Sequence, residues 1–200
     1  MSVKMAVVYY SATGAVHAMA NAVAEGAEKA GAEVRVRRAP ELAGEDAIDS
    51  NPAWRTFVDA TKFSVLEATM DDLAWADCYA FGTPTRFGLP AAQLKQLLDR
   101  TGGLWQQGAF VGKPVTSFTS SMNTHGGQES TILALNNVFY HWGSLIVAPG
   151  YTDPLLFAAG GNPYGTSSTS NDGPPSDATL EAARYQGQLV VDVTRRLGNG

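Results

Sequence analysis

The opening strand–turn–helix unit restricts the fold more than any other stretch. Val3–Val8 is a short apolar run of the buried-strand type, and Val16, Met19, Ala20, Val23, Ala24 and Ala27 then recur on one face of a helix. Between them lies Tyr9-Tyr10-Ser11-Ala12-Thr13-Gly14, a turn with two hydroxyls and a glycine. A helix N-terminus presents unpaired N–H groups and the positive end of a dipole, so the turn suits an anion. It holds no Lys or Arg, the nearest being Lys4 and Lys29, and neither G-x-x-x-x-G-K-[ST] nor G-x-G-x-x-G occurs here. A triphosphate loop and a dinucleotide fingerprint are thereby set aside. A monophosphate held by Ser11, Thr13 and the N–H groups of Gly14, Ala15 and Val16 fits better, and FMN is the expected ligand. The plain alternative is a capped surface turn without a ligand.

With 200 residues and 44% hydrophobic content, the chain suits one α/β domain spanning 1–200. A formal charge of −5 gives no broad basic face, so no nucleic-acid partner is expected. Cys78 is the single cysteine, which excludes an intrachain disulfide, and with no hydrophobic signal segment the chain reads as cytoplasmic. No apolar run approaches the roughly 20 residues of a membrane span. The three histidines and one cysteine have no metal-ligand spacing.

In order, a strand at Val3–Tyr10 leads to a helix over about Ala15–Ala30, ended by Gly31. Glu33–Arg37 alternates as a second strand near an edge. Residues 39–70 read as a long connection with one short helix, Trp54 and Phe57 packing on the core, and 71–76 as a last helical turn. Cys78–Gly82 is a third, buried strand, Thr83–Gly88 a loop, and Leu89-Pro90 the start of a helix whose buried face is Leu94, Leu97 and Leu98. A loop at 101–105, a fourth strand at Pro114–Ser121, a polar loop at 122–129, a helix to about Trp142 and a fifth strand at Ser144–Val147 follow. Residues 153–176 read as a surface loop, and Ser176 caps a final helix packed through Leu180, Ala183, Gly187, Val190, Val191, Thr194 and Leu197.

Alternating strands and helices imply a parallel sheet covered on both faces. The expected fold is a flavodoxin-like three-layer α/β sandwich with a five-stranded sheet in the order 2-1-3-4-5. Its switch point lies between strands one and three, so the loops after strands one, three and four would divide a flavin among them. Ser11–Val16 would take the phosphate. Pro84, Thr85, Arg86, Phe87 and Gly88 would meet the isoalloxazine, with Thr85 and backbone N–H groups at its pyrimidine end, Arg86 favouring the anionic reduced ring and Phe87 giving apolar cover. Ser121, Met122, Asn123, Thr124, His125, Gly126 and Gly127 would close the third side. His17 is expected to face solvent, and Cys78 to be inert core.

These segments, with Thr101-Gly102-Gly103-Leu104-Trp105, His125–Glu129, Gly150-Tyr151, Gly161–Gly165 and Ala183–Gly187, resemble the WrbA family over nearly the whole chain. That family comprises flavodoxin-like, FMN-dependent NAD(P)H:quinone oxidoreductases. The resemblance implies bound FMN, NAD(P)H as a transient donor, a quinone substrate, and a homotetramer whose active sites receive residues from neighbouring subunits. It carries the family's flavin-binding residues onto Ser11–Val16, Pro84–Gly88, Ser121–Gly127 and His141, and a substrate-pocket tryptophan onto Trp105. On spacing alone His141 would be a helix-end charge partner, and Trp105 a buried aromatic. The chain departs from the pattern at three places. Thr13 stands where a tyrosine often contacts the nicotinamide nucleotide, Trp142 where a second histidine is common, and Met122-Asn123 where the pair is smaller. The flavin would carry the chemistry, so no side chain is expected to act as a strong acid or base. The main alternative is a flavodoxin-type electron carrier, against which the segments at 39–70 and 104–112 and the late loop argue. A regulatory DNA-associated protein is a second, disfavoured by the acidic charge.

Overall fold

The computed structural model describes residues 2–171 and 173–198. In chain order the elements are β1 (Lys4–Tyr9), α1 (Ala15–Lys29), β2 (Glu33–Arg38), α2 (Glu45–Asp49), α3 (Pro52–Thr61), α4 (Met70–Trp75) and β3 (Cys78–Arg86). Then come β4 (Leu89–Pro90), α5 (Ala92–Asp99), α6 (Gly102–Gln106), β5 (Pro114–Ser121), α7 (Gln128–Trp142), β6 (Leu145–Ile146), α8 (Pro154–Ala158), β7 (Ser167–Thr169) and α9 (Asp177–Gly198).

The sheet runs β2-β1-β3-β5-β6, the flavodoxin-like order expected, with the paired strands along this path parallel. Two short strands were not foreseen. β4 pairs antiparallel with the end of β3, and β7 runs parallel to the last residues of β5. Alternation along β1 sorts its side chains to two cores. Met5, Val7 and Tyr9 join Val16, Met19 and Val23 of α1 and Val190 and Val191 of α9. Ala6, Val8 and Tyr10 join Phe81, Leu94 and Leu97 of α5, and Leu135, Phe139 and Trp142 of α7. Burial on both faces is why β1 and the start of β3 read as continuous apolar runs.

Several boundaries differ from expectation, each for a local reason. β3 continues past Gly82 to Arg86 because β5 keeps pairing with it, through Thr83↔Thr119 and Pro84↔Ser120. Its partner β1 has left the sheet by then, Tyr9 pairing with Gly82. On that side β3 is an edge, where a proline without an N–H is tolerated. Phe87 (φ 55°) and Gly88 (φ 79°) then form a two-residue hairpin turn. Leu89-Pro90 is therefore the returning strand, and the helix begins only at Ala92. The connection at 39–70 carries the two helices α2 and α3 ahead of α4, where one was expected. Residues 102–106 are a helix, not a loop, and the segment 153–176 contains α8 and β7. Leu197, expected to pack, is exposed in the last turn of α9.

Edge strand β2 is covered by the segment before α4: Arg38 N–H donates to the Leu66 carbonyl, and Ala68 N–H to the Arg38 carbonyl. Arg35 and Arg37 both pair with the buried Asp72, at 3.2 and 3.1 Å. Burial opposes the charge on Asp72, but hydrogen bonds from Thr69 and Arg37 outweigh it and hold its pKa below the ordinary carboxylate value.

Candidate functional site

The C-terminal strand edge brings the three predicted loops together. In the first, Ser11 and Ala12 are buried and Thr13 is exposed. The Ser11 hydroxyl accepts the Gly14 N–H at 3.0 Å. Gly14, at φ 102°, is the N-cap of α1 and gives it no side-chain cap. The first-turn N–H groups of Ala15 and Val16 are thus left without a side-chain cap, the kind of donor set a monophosphate needs. Phe57 covers this turn: a Cβ on Gly14 would lie 3.4 Å from its ring. Phe57 also sits edge-on to His17, at 5.5 Å between ring centroids. Trp54 is half-buried against the core as expected, whereas the half-buried Phe57 packs on the turn and on His17 instead.

His17 does not face solvent. Its Nδ1 lies 2.5 Å from the Tyr9 hydroxyl and its Nε2 3.1 Å from the Asn21 amide. Burial lowers its pKa, and burial pushes that of Tyr9 up to about 12. The neutral forms of both are therefore favoured beside the helix N-terminus.

In the second loop Pro84 is buried, Thr85 half-buried, and Arg86 and Phe87 are exposed. The Thr85 hydroxyl accepts the Gly88 N–H at 3.1 Å and meets the Thr131 hydroxyl of α7 at 2.7 Å. The Arg86 guanidinium donates to the Thr85 carbonyl, and its charge only partly offsets the burial that raises the Tyr10 pKa. In the third loop the buried Ser121 hydroxyl donates to the Asn123 carbonyl at 2.6 Å and accepts the Gln128 amide at 2.9 Å. Met122, Asn123, Thr124 and His125 are exposed. Gly126 closes a turn too tight for a side chain, since a Cβ there would lie 2.8 Å from that of Ser121. Gly127, at φ 92°, starts α7 without a side-chain cap, as Gly14 starts α1. A Cβ on Gly127 would come within 3.0 Å of the Gly88 backbone, so the second and third loops meet there. Uncapped starts of α1 and α7 and the two glycine turns that meet at Gly88 and Gly127 thus lie along the C-terminal edge of the sheet.

His141 and Trp105 are not part of it within one chain. α7 begins at the third loop and carries His141 in its last turn, roughly 20 Å away at 1.5 Å per residue. The Trp105 indole donates to the His141 carbonyl at 2.8 Å. Both line a separate open groove of about 420 Å³ between α5 and α7, with Lys95, Leu98, Asn137 and Val138. Thr131, Gln128 and Phe57 are site-supporting residues that sequence reasoning missed or assigned elsewhere. A Gln or Thr in a helix's first turn after a glycine loop was the available signal for two of them.

Known proteins resemble this chain along most of its length. Residues 4–152 match the family described as NADPH-dependent FMN reductase. A protein of Deinococcus radiodurans named NAD(P)H dehydrogenase (quinone) is 43% identical, over 98% of this chain and 97% of the relative. One of the same name from Geotalea uraniireducens is 44% identical, over 97% and 98%. Among solved structures, a flavodoxin, WrbA-like protein from Agrobacterium tumefaciens superposes with a TM-score of 0.70 at 28% identity, over 98% of this chain and 99% of that one. Motifs, fold and full-length similarity converge: the chain belongs to the NADPH-dependent FMN reductase family and, within it, to the WrbA-like proteins.

Proposed function

We propose that this chain is an FMN-dependent NAD(P)H:quinone oxidoreductase. The observation that carries the reading is the C-terminal edge of the sheet: an uncapped α1 start with no cation in its turn at the switch point, beside a second uncapped start at α7 and glycine turns that meet at Gly88 and Gly127. It stands on a chain 43% identical, nearly end to end, to a protein named for this activity.

The residues fit FMN. The first turn of α1 would hold the phosphate through the N–H groups of Ala15 and Val16, the Gly14 N–H being engaged by Ser11. Thr85, with its hydroxyl fixed by Gly88 and Thr131, would present backbone groups to the ring. Arg86 would sit at the ring's electron-rich end, and Phe87, fully exposed, would cover its apolar edge. Met122–Gly127 would close the far side. When bound, FMN supplies the redox chemistry, accepting hydride at N5 from NAD(P)H and delivering two electrons to a quinone in separate half-reactions. The protein's part is to hold the ring and exclude water around it. Thr13, exposed in the first loop, would meet the nicotinamide donor with a shorter side chain than the family's tyrosine.

His141 and Trp105 would reach the flavin from a neighbouring subunit of a homotetramer. Leu133, Asn137, Tyr140 and His141 form an exposed stripe along α7, the kind of face a second copy covers. No helix among the described residues is long and apolar enough to cross a membrane, and we place the chain in the cytoplasm on its single, free cysteine. Steady-state rates of the FMN-loaded protein with NADH and benzoquinone test the reading. Parallel double-reciprocal lines support two half-reactions at one site. Intersecting lines refute that order, and bound FMN without NADH consumption points to an electron carrier.

A further inference from the structure

Beside the first loop lies a side-chain cluster that the flavin reading leaves unused. Glu41, just after β2, accepts five hydrogen bonds on its carboxylate. Oε1 takes the N–H groups of Leu42 and Ala43, at 2.9 and 3.0 Å, and the Gln93 amide at 2.7 Å. Oε2 takes the Tyr10 hydroxyl at 2.9 Å and the Trp54 indole at 3.1 Å. The Gln93 amide also donates to the Tyr10 hydroxyl, at 3.0 Å.

Every partner is a donor, so the position suits a carboxylate and not an amide, which would turn an NH₂ toward other N–H groups. Burial alone would raise the Glu41 pKa, but the bonds from Ala43, Gln93, Tyr10 and Leu42 outweigh it and hold it below the ordinary value. Burial, and after it the Glu41 charge, pushes the Tyr10 phenol well above its usual range. The cluster therefore has one protonation state through the neutral range: Glu41 charged, Tyr10 a neutral donor.

The elements it joins flank the switch point. Tyr10 immediately precedes Ser11, and Gln93 lies in the first turn of α5, directly after the second loop and its returning strand. α5 is fixed independently by the buried Leu94, Leu97 and Leu98. It is the packed side of the clamp, and the cluster adds a side-chain tie to the exit of β1, where the Tyr10 N–H also donates to the Gly82 carbonyl at 2.9 Å. We propose that Glu41 is a positioning residue for FMN: by fastening Tyr10 to Gln93 it fixes the Ser11–Val16 turn that takes the phosphate, without touching the ligand. This rests on the FMN reading above.

The test compares FMN with riboflavin, which lacks the phosphate, in fluorescence titrations of the wild-type chain, Glu41→Gln and Gln93→Ala. Loss of a charge-assisted bond in the clamp should weaken FMN about tenfold or more while riboflavin affinity stays at the wild-type value. A general loosening of the fold would weaken both flavins by the same factor, and that result overturns the proposal. So does unchanged FMN affinity in both variants. Gln93 is half-buried on an anchored helix, so Gln93→Ala decides the matter if Glu41→Gln does not fold. A wild-type chain that takes up neither flavin would instead refute the functional reading on which the inference rests.

Discussion

Helix α1, whose start is the proposed phosphate site, is held in place largely by α9, and their seam makes a sharp prediction. A Cβ placed on Gly187 would fall within 3.0 Å of the Val23 carbonyl oxygen, and one on Gly26 within 3.0 Å of the Arg184 carbonyl oxygen, closer than real Cβ atoms come. The two helices cross backbone to backbone. In Gly187→Ala two effects oppose each other. Alanine is the better helix former by about 1 kcal/mol. Against this, a collision between a Cβ and a main-chain oxygen has no side-chain rotation to relieve it. The helices must part by roughly 1 Å, which forfeits about a quarter to a half of the dispersion contacts across the seam, and overpacking of this kind costs about 3 kcal/mol. The net loss is about 2 kcal/mol, or about 4–8 °C in Tm at this chain length. Gly103→Ala is the control, since Gly103 lies in α6 with nothing within 4 Å of its added Cβ. Thermal melts by circular dichroism should show Gly187→Ala lowered and Gly103→Ala unchanged or raised. A Gly187→Ala chain that melts at or above wild type would refute the close-packed seam.

Arg86→Ala should lower the midpoint potential of bound FMN on the order of 20 mV, from about 1 kcal/mol for a solvated charge near the ring; an unchanged potential removes Arg86 from that role. Burial lowers the His17 pKa from 6.5, so the unfolded chain takes up the proton first. The associated stability is present above about pH 6.5 and is lost as pH falls through the depressed folded value. His17→Gln should flatten the difference in urea midpoint between about pH 7.5 and pH 5.5, and an undiminished slope would assign it elsewhere. Cys78 is fully buried, and burial pushes its thiol up to about 12. It should resist a thiol reagent in the native state and react stoichiometrically in denaturant; rapid native labelling would contradict its placement.

The sequence was legible where one period ran unbroken. The apolar stripe from Val16 to Ala27 and the run at Cys78–Gly82 located α1 and β3, and with them the strand order and the switch point. It was illegible where backbone geometry overrode residue type. Phe87 at φ 55° is no turn signal, so the hairpin that makes Leu89-Pro90 a strand was invisible. Helix α6 contains Gly102 and Gly103, which argue for a loop. His17 looked exposed because its partner Tyr9 belongs to a strand whose hydroxyl direction only the fold reveals. Glu41 draws on Tyr10, Trp54 and Gln93, each far from it along the chain, and no local pattern announces such a cluster. The three loops were found because each follows a recognisable strand. The distance of His141 and Trp105 from them followed only from the length of α7.

An FMN held at the C-terminal edge of the sheet should pass electrons from NAD(P)H to a quinone. The most direct measurement is the absorbance spectrum of the FMN-loaded chain, recorded anaerobically before NADH, after NADH, and after benzoquinone. Flavin bands at about 370 and 450 nm should bleach with NADH and return with quinone. A chain that retains no flavin, or bound flavin that NADH leaves oxidised, would contradict it.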